Sequence, residues 1–144
     1  MYGSLPSDPV GGGRPAFWLP RIGLSELSDH VSAMAALGIG FAYTLNAPDL
    51  FGAEDDPGWR RELDRHLHDL WQVRIRRLIV SNHWLAGHLR DHHEFSVSLS
   101  LIRGVATAGE ARRATSLGVD EITLHGQRVN RDLSVVAAIR EVTT

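Results

Sequence analysis

Cysteine is absent from the 144-residue sequence. Within this chain, that excludes disulfides, thiolate zinc sites, cysteine-ligated iron–sulfur clusters and a thiol nucleophile. Lysine is absent too. All fifteen basic residues are arginine, which removes Schiff-base chemistry and a P-loop lysine from consideration; a codon bias of a GC-rich genome accounts for the arginines without a functional cause. No apolar run reaches the ~18 residues expected of a membrane span. No basic-then-apolar leader opens the sequence, so the expectation is a cytoplasmic protein. An excess of charge of either sign is also lacking: 15 basic residues stand against 17 acidic ones, a net charge of −2. The arginines are scattered and form no basic stripe, so nucleic acid is not an expected partner.

What is present is the composition of a soluble globular domain, 43% apolar and 22% charged. Residues 1–22 form a glycine- and proline-rich opening loop, with Tyr2 to Leu5 as a short strand. From there the pattern alternates. The spacing predicts a helix over 26–37, capped by Ser25, bearing Leu27, Val31, Met34 and Leu37 on one face and stopped by Gly38. A strand over 39–45 follows and ends at Asn46-Ala47-Pro48. Pro57 opens a second amphipathic helix through Val73. Strands are expected at 76–81, 95–99 and 119–124. Further helices are expected at 84–91, from a Thr107 cap to Leu117, and at 133–142.

This rhythm implies right-handed βαβ units and a parallel sheet in a single domain spanning 1–144. Two architectures fit: a doubly wound open sheet and part of a β/α barrel, for which the chain is too short to be complete. Gly11-Gly12-Gly13 precedes a proline and lacks the G-x-G-x-x-G spacing of a dinucleotide site.

Several ordered segments bear on this choice. They are Tyr2-Gly3-Ser4-Leu5-Pro6, Gly13-Arg14-Pro15, Phe41-Ala42-Tyr43-Thr44-Leu45-Asn46-Ala47 with Gly52 and Glu54, and Arg77-Leu78-Ile79-Val80-Ser81-Asn82. Further on come Val97-Ser98-Leu99-Ser100, Gly118-Val119-Asp120-Glu121-Ile122-Thr123-Leu124 and Asn130-Arg131-Asp132. Together they resemble the N-terminal half of the collagenase-like peptidase family U32. The resemblance implies an α/β fold that is a partial, half TIM-type barrel of four to five βα units with parallel strands. It also implies a protein partner or a second copy that completes the barrel, and a hydrolase- or hydroxylase-type site for a peptide or small molecule. Relatives carry a cysteine-bearing second half, associated in some with an iron–sulfur cluster. No cofactor is expected in this chain, and such a cluster only if a partner supplies it. A non-catalytic scaffold or regulatory partner, or a fragment of a longer family enzyme, is the alternative.

In a parallel β/α fold, chemistry concentrates at the carboxyl ends of the strands. Those ends carry Tyr43 and Asn46, Ser81 and Asn82, Ser98 with Ser100, and Thr123 with His125. They form an expected ring of ligand-binding groups, although each residue type there also serves as a helix cap or loop former. His125 directly follows a strand and is the candidate general acid or base near neutral pH. Glu54 is its candidate catalytic partner. Arg14, between Gly13 and Pro15, is the candidate anion clamp. Asn130 and Arg131 are a further polar pair, with Asn130 also readable as a cap of the last helix and Asp132 as a complement to its dipole. His88 and His92 stand one helical turn apart with His93 beside them, but the segment leads into a strand, on the stability face of a barrel. They read as surface histidines, and no metal site is expected.

Overall fold

A computed structural model describes residues 1–11, 20–91, 94–129 and 131–143. Its strands are β1 (Tyr2–Gly3), β2 (Ala42–Leu45), β3 (Arg77–Val80), β4 (Ser96–Leu99) and β5 (Glu121–Ile122). They alternate with α1 (Leu24–Ala36), α2 (Pro57–Gln72), α3 (His83–Leu89), α4 (Ala108–Ser116) and α5 (Leu133–Arg140), with a 3-10 turn at Ala53–Asp55 ahead of α2. The five strands form one parallel sheet in the order β1-β2-β3-β4-β5.

That order decides between the two architectures. A doubly wound sheet reverses direction at a switch point and carries helices on both faces. Here the strand order never reverses, so successive right-handed crossovers put every helix on the same side. The buried core agrees. Leu27 and Val31 of α1, Leu63, Leu67 and Leu70 of α2, Leu85 and Leu89 of α3, Ala111 and Ala114 of α4 and Ile139 of α5 cluster with Tyr43, Leu45, Leu78, Val80, Val97 and Leu99. The strand residues in that set share one parity. The chain is therefore an arc of a singly wound β/α barrel.

The helix ends show where local chemistry differs from simple pattern reading. α1 begins at Leu24 behind Gly23, not after Ser25, because the Glu26 carboxylate reaches back to accept from the Gly23 N–H at 2.7 Å. Thr107 does cap α4, its Oγ1 accepting from Glu110 N at 3.2 Å. Asp132 caps α5: its Oδ1 accepts from Val135 N at 3.2 Å. β5 is shorter than the apolar pattern over 119–124 implies, and pairing resumes only as an isolated bridge between Val105 and Leu124. No helix is long and apolar enough to cross a membrane among the described residues.

Leu67 and Leu78 are fully buried where α2 meets the sheet. Leu67→Ala or Leu78→Ala should each destabilise the fold by about 2–5 kcal/mol. Urea unfolding checks this; a loss well below about 1 kcal/mol at both positions would mean that this interface is not the core.

Candidate functional site

With one parity turned to the helices, the other defines the inner face of the arc. Register places Thr44, Ile79, Ser98 and Glu121 in one row across four strands. Continuing each strand by two residues adds Asn46, Ser81, Ser100 and Thr123 at the carboxyl ends. The interior of a complete barrel is filled mainly by branched aliphatic side chains. This face is mostly hydroxyls, an amide and a charged pair. A cavity of ≈ 360 Å³ at the carboxyl ends is lined by Tyr2, Thr44, Asn46, Ile79, Ser100, Leu101, Ile102 and Thr123. A second, of ≈ 220 Å³, continues toward the strand N-termini past Ala42, Arg77, Ser98 and Glu121, and shares Tyr2, Ile79 and Thr123 with the first.

Of the residues singled out in the sequence, Asn46 and Ser81 meet: Ser81 Oγ donates to Asn46 Oδ1 at 2.7 Å across adjacent strand ends. The Asn46 backbone N–H donates to the Gly11 carbonyl at 2.9 Å, which ties the opening loop to this end of the sheet. Ser98 lies a layer lower, where its Oγ donates to Glu121 Oε2 at 2.5 Å. Asn82 is occupied as a helix cap, its Oδ1 accepting from Trp84 N and Leu85 N. Arg131 is exposed, in the left-handed region at φ 66°, one residue before the α5 cap. Arg14 and Asn130 lie outside the described residues, as do His92 and His93.

His125 continues the inward parity of β5. Its backbone N–H donates to the Val105 carbonyl at 2.8 Å, and its Nδ1 accepts from the Arg128 N–H at 3.3 Å. Its imidazole lies over Gly104: a Cβ at that glycine, which has φ 58°, would stand 2.6 Å from His125 Cδ2. Glu54, in the 3-10 turn after β2, has a shielded Oε2 with no hydrogen-bond partner among the described residues. No ion pair joins Glu54 to His125 among those residues; the recorded pairs are Arg60–Asp55, Arg77–Glu121 and His88–Asp64.

Tyr43 sits away from the inner face. It lies three residues before Asn46, an odd step in a period-two strand, so it turns to the helices and is 0% exposed. Its hydroxyl accepts from Leu5 N at 2.9 Å and donates to Asp8 Oδ2 at 3.2 Å. Asp8 also accepts from the N–H groups of Val10 and Gly11, and the His66 ring meets Tyr43 edge-on at 5.6 Å between centroids. Burial raises the Asp8 pKa above the ordinary carboxylate value, against the lowering pull of these hydrogen bonds and of His66. Burial, then the Asp8 charge, raises that of Tyr43. Burial lowers that of His66, whose Nε2 has no partner among the described residues, against the opposing charges of Asp8, Asp69 and Glu62.

Two inner-face residues that matter to the geometry, Arg77 and Glu121, were not among the sequence candidates. Their signal was present. Buried parallel strands read as nearly continuous apolar runs, and a charge in phase with Ile79, opposite in parity to Leu78 and Val80, marks an interior that is not simply packed.

The class this geometry defines is a partial β/α barrel with a polar inner face. Among solved structures, the chain is similar to the U32 peptidase Mk0906, with a TM-score of 0.81 and 19% identity, over 99% of this chain and 56% of that one. It is also similar, at TM-score 0.50 and 16% identity, to a chain in the Amycolatopsis orientalis BexX/CysO complex, over 84% of this chain and 48% of that one. No protein-family profile and no curated protein sequence matches it. The likeness in fold to a U32 peptidase thus runs nearly end to end, and this chain spans little more than half of that structure. The cluster associated with some U32 relatives does not fit the donors present: iron–sulfur centres are held by cysteine thiolates, and this chain has none.

Two outcomes follow from the site's surroundings. Gly104→Ala should displace the His125 ring and strain the turn at once, costing about 1–3 kcal/mol; thermal unfolding with the His125 ring proton shifts reads both effects, and unchanged shifts would contradict the contact. His66 is less basic folded than unfolded, so the unfolded chain takes up the proton first, and stability falls as pH drops below about 6.5. Asp8, shifted upward, acts with the opposite sign. His66→Gln should therefore lose less stability than the parent between about pH 7.5 and about pH 5.5 in urea titrations. His83, also shifted downward, first by burial and then by Arg103, cancels in this comparison. Equal losses would remove His66 from the account.

Proposed function

We propose that this chain supplies the β1–β5 part of a U32-peptidase-like barrel and one wall of a site that modifies or hydrolyses a peptide or small molecule. The observation that carries the proposal is the partly uncovered inner face. Thr44, Ser81, Ser98 and Ser100 are buried there, but Arg77, Glu121 and Thr123 are exposed, Leu101 and Ile102 beside them are 55% and 51% exposed, and among the described residues β1 and β5 are the edges of the sheet. Parallel sheets are otherwise covered on both faces, and open edges invite pairing.

Strand count specifies what fits. A complete barrel has eight strands, so five here call for three more βα units. Two copies of this arc would bring ten strands, which overshoots closure and disfavours a simple homodimeric barrel. The completing units are of different sequence, carried by a partner chain or by a longer form of this one. His125 acts as the acid–base group at the strand ends, with Glu54 after β2 as a second candidate carboxylate, and Asn46, Ser81 and Ser98 orient the ligand. A reaction of the hydroxylase type would draw its redox centre from the completing part.

The test is the state of the isolated chain in the cytoplasm-like buffer where it is soluble. Light scattering, a hydrophobic dye and amide exchange should show concentration-dependent association or dye binding, with fast exchange at the β1 and β5 edges. A monodisperse 15.9 kDa monomer with protected edges and no dye binding would overturn the proposal. Once a completing chain is in hand, Asn46→Ala and His125→Ala separate the two roles. Lost turnover in an intact assembly marks a site, whereas lost assembly alone marks a scaffold.

A further inference from the structure

The inner face holds a charged pair that the reading above does not use, Arg77 of β3 and Glu121 of β5, with Ser98 of β4 between them. Arg77 Nη2 and Ser98 Oγ both donate to the same oxygen, Glu121 Oε2, at 2.7 and 2.5 Å. Glu121 Oε1 accepts no hydrogen bond from any described residue, and only Nη2 among the Arg77 donors is engaged by one. The two side chains are 51% and 56% exposed and open onto the same ≈ 220 Å³ cavity.

Bracing the sheet is a weak explanation for this arrangement. A half-exposed ion pair contributes little to stability, and the positions are ones that a packed barrel fills with aliphatic side chains. Both residues, one of each sign, line one space. An anion alone would face Glu121, a cation alone would face Arg77, and an apolar ligand would strip water from both without replacing it. A ligand carrying both signs a few ångströms apart satisfies both.

We infer that Arg77 and Glu121 form a recognition site for a small zwitterion, an α-amino acid or dipeptide whose carboxylate takes the free Arg77 fork and whose ammonium takes Glu121 Oε1. The planar guanidinium suits a carboxylate. Hydrogen bonds from Ser98 and Arg77 hold the Glu121 carboxyl below its ordinary pKa, so it is ionised at neutral pH, as an ammonium partner requires. The adjoining ≈ 360 Å³ space, with Asn46, Ser100 and Ile79 on its wall, has room for the rest of the ligand and leads to the strand ends. The inference deepens the proposed function and rests on it only for what closes the far side of the cavity, since every recognition group named stands on this chain.

Three probes test it on the full 144-residue chain: glycylglycine, with both charges, N-acetylglycine, with only the carboxylate, and glycinamide, with only the ammonium. The readout is the Arg77 side-chain N–H resonance, assigned by its loss in Arg77→Gln. Glycylglycine should half-saturate the shift at a concentration about tenfold below either singly charged probe. In Glu121→Gln, the preference for glycylglycine over N-acetylglycine should disappear. Equal responses to the three probes, or no response at millimolar concentrations, would overturn the inference. The comparison on the parent chain suffices if a variant fails to fold. Light scattering on the same sample keeps the two proposals apart. Lost selectivity in an associating, dye-binding chain sinks only the zwitterion site. A sheathed, monodisperse monomer that still selects glycylglycine sinks only the barrel-half reading.

Discussion

The period-two alternation of a parallel strand, locked into register by its neighbours, is the constraint on which the molecule depends. Once Leu78 and Val80 turn toward the helices, Ile79 must turn away, and register carries that choice to Leu45, Val97 and Leu99 on either side. A one-residue slip in any strand would exchange the apolar set for hydroxyls and charges. Each leucine at this interface contributes on the order of 1.5–3 kcal/mol by burial, so the register is strongly held. The inner face inherits its geometry from that packing and has little freedom of its own.

The helix side also explains three of the chain's perturbed titratable groups. Asp8, Tyr43 and His66 lie behind the sheet, where they fasten the opening loop to β2 and α2. Tyr43 joins Leu5 and Asp8, and the Trp59 indole N–H donates to the Pro9 carbonyl at 3.0 Å. Perturbed groups often mark functional sites, but here desolvation under a docked loop is sufficient cause. On the opposite face the Arg77–Glu121 pair is half-exposed and held by direct hydrogen bonds.

Much was legible from residue pattern. The alternation of strands and helices and the single parallel sheet follow from periodicity and caps, whereas the partial barrel was the expectation of the resemblance to the U32 family. The clustering of Asn46 and Ser81 at strand ends was legible too. Less legible were features in which two local options compete. Ser25 is a good cap residue by type, yet Gly23 with Glu26 takes that role because the Glu26 carboxylate reaches a free N–H group. Tyr43 looked like a mouth residue by nearness in sequence to Asn46, although three residues is an odd step along a strand.

The sequence by itself determined which segments form strands and helices, their order, and the absence of any thiol or lysine chemistry, because composition and short-range periodicity encode these directly. Only the tertiary structure decided which parity faces inward, that Tyr43 fastens a loop and does not line the mouth, and that Arg77, Ser98 and Glu121 meet across three strands. Those outcomes depend on register between segments 19 to 44 residues apart, and no local pattern contains the partner strand's phase.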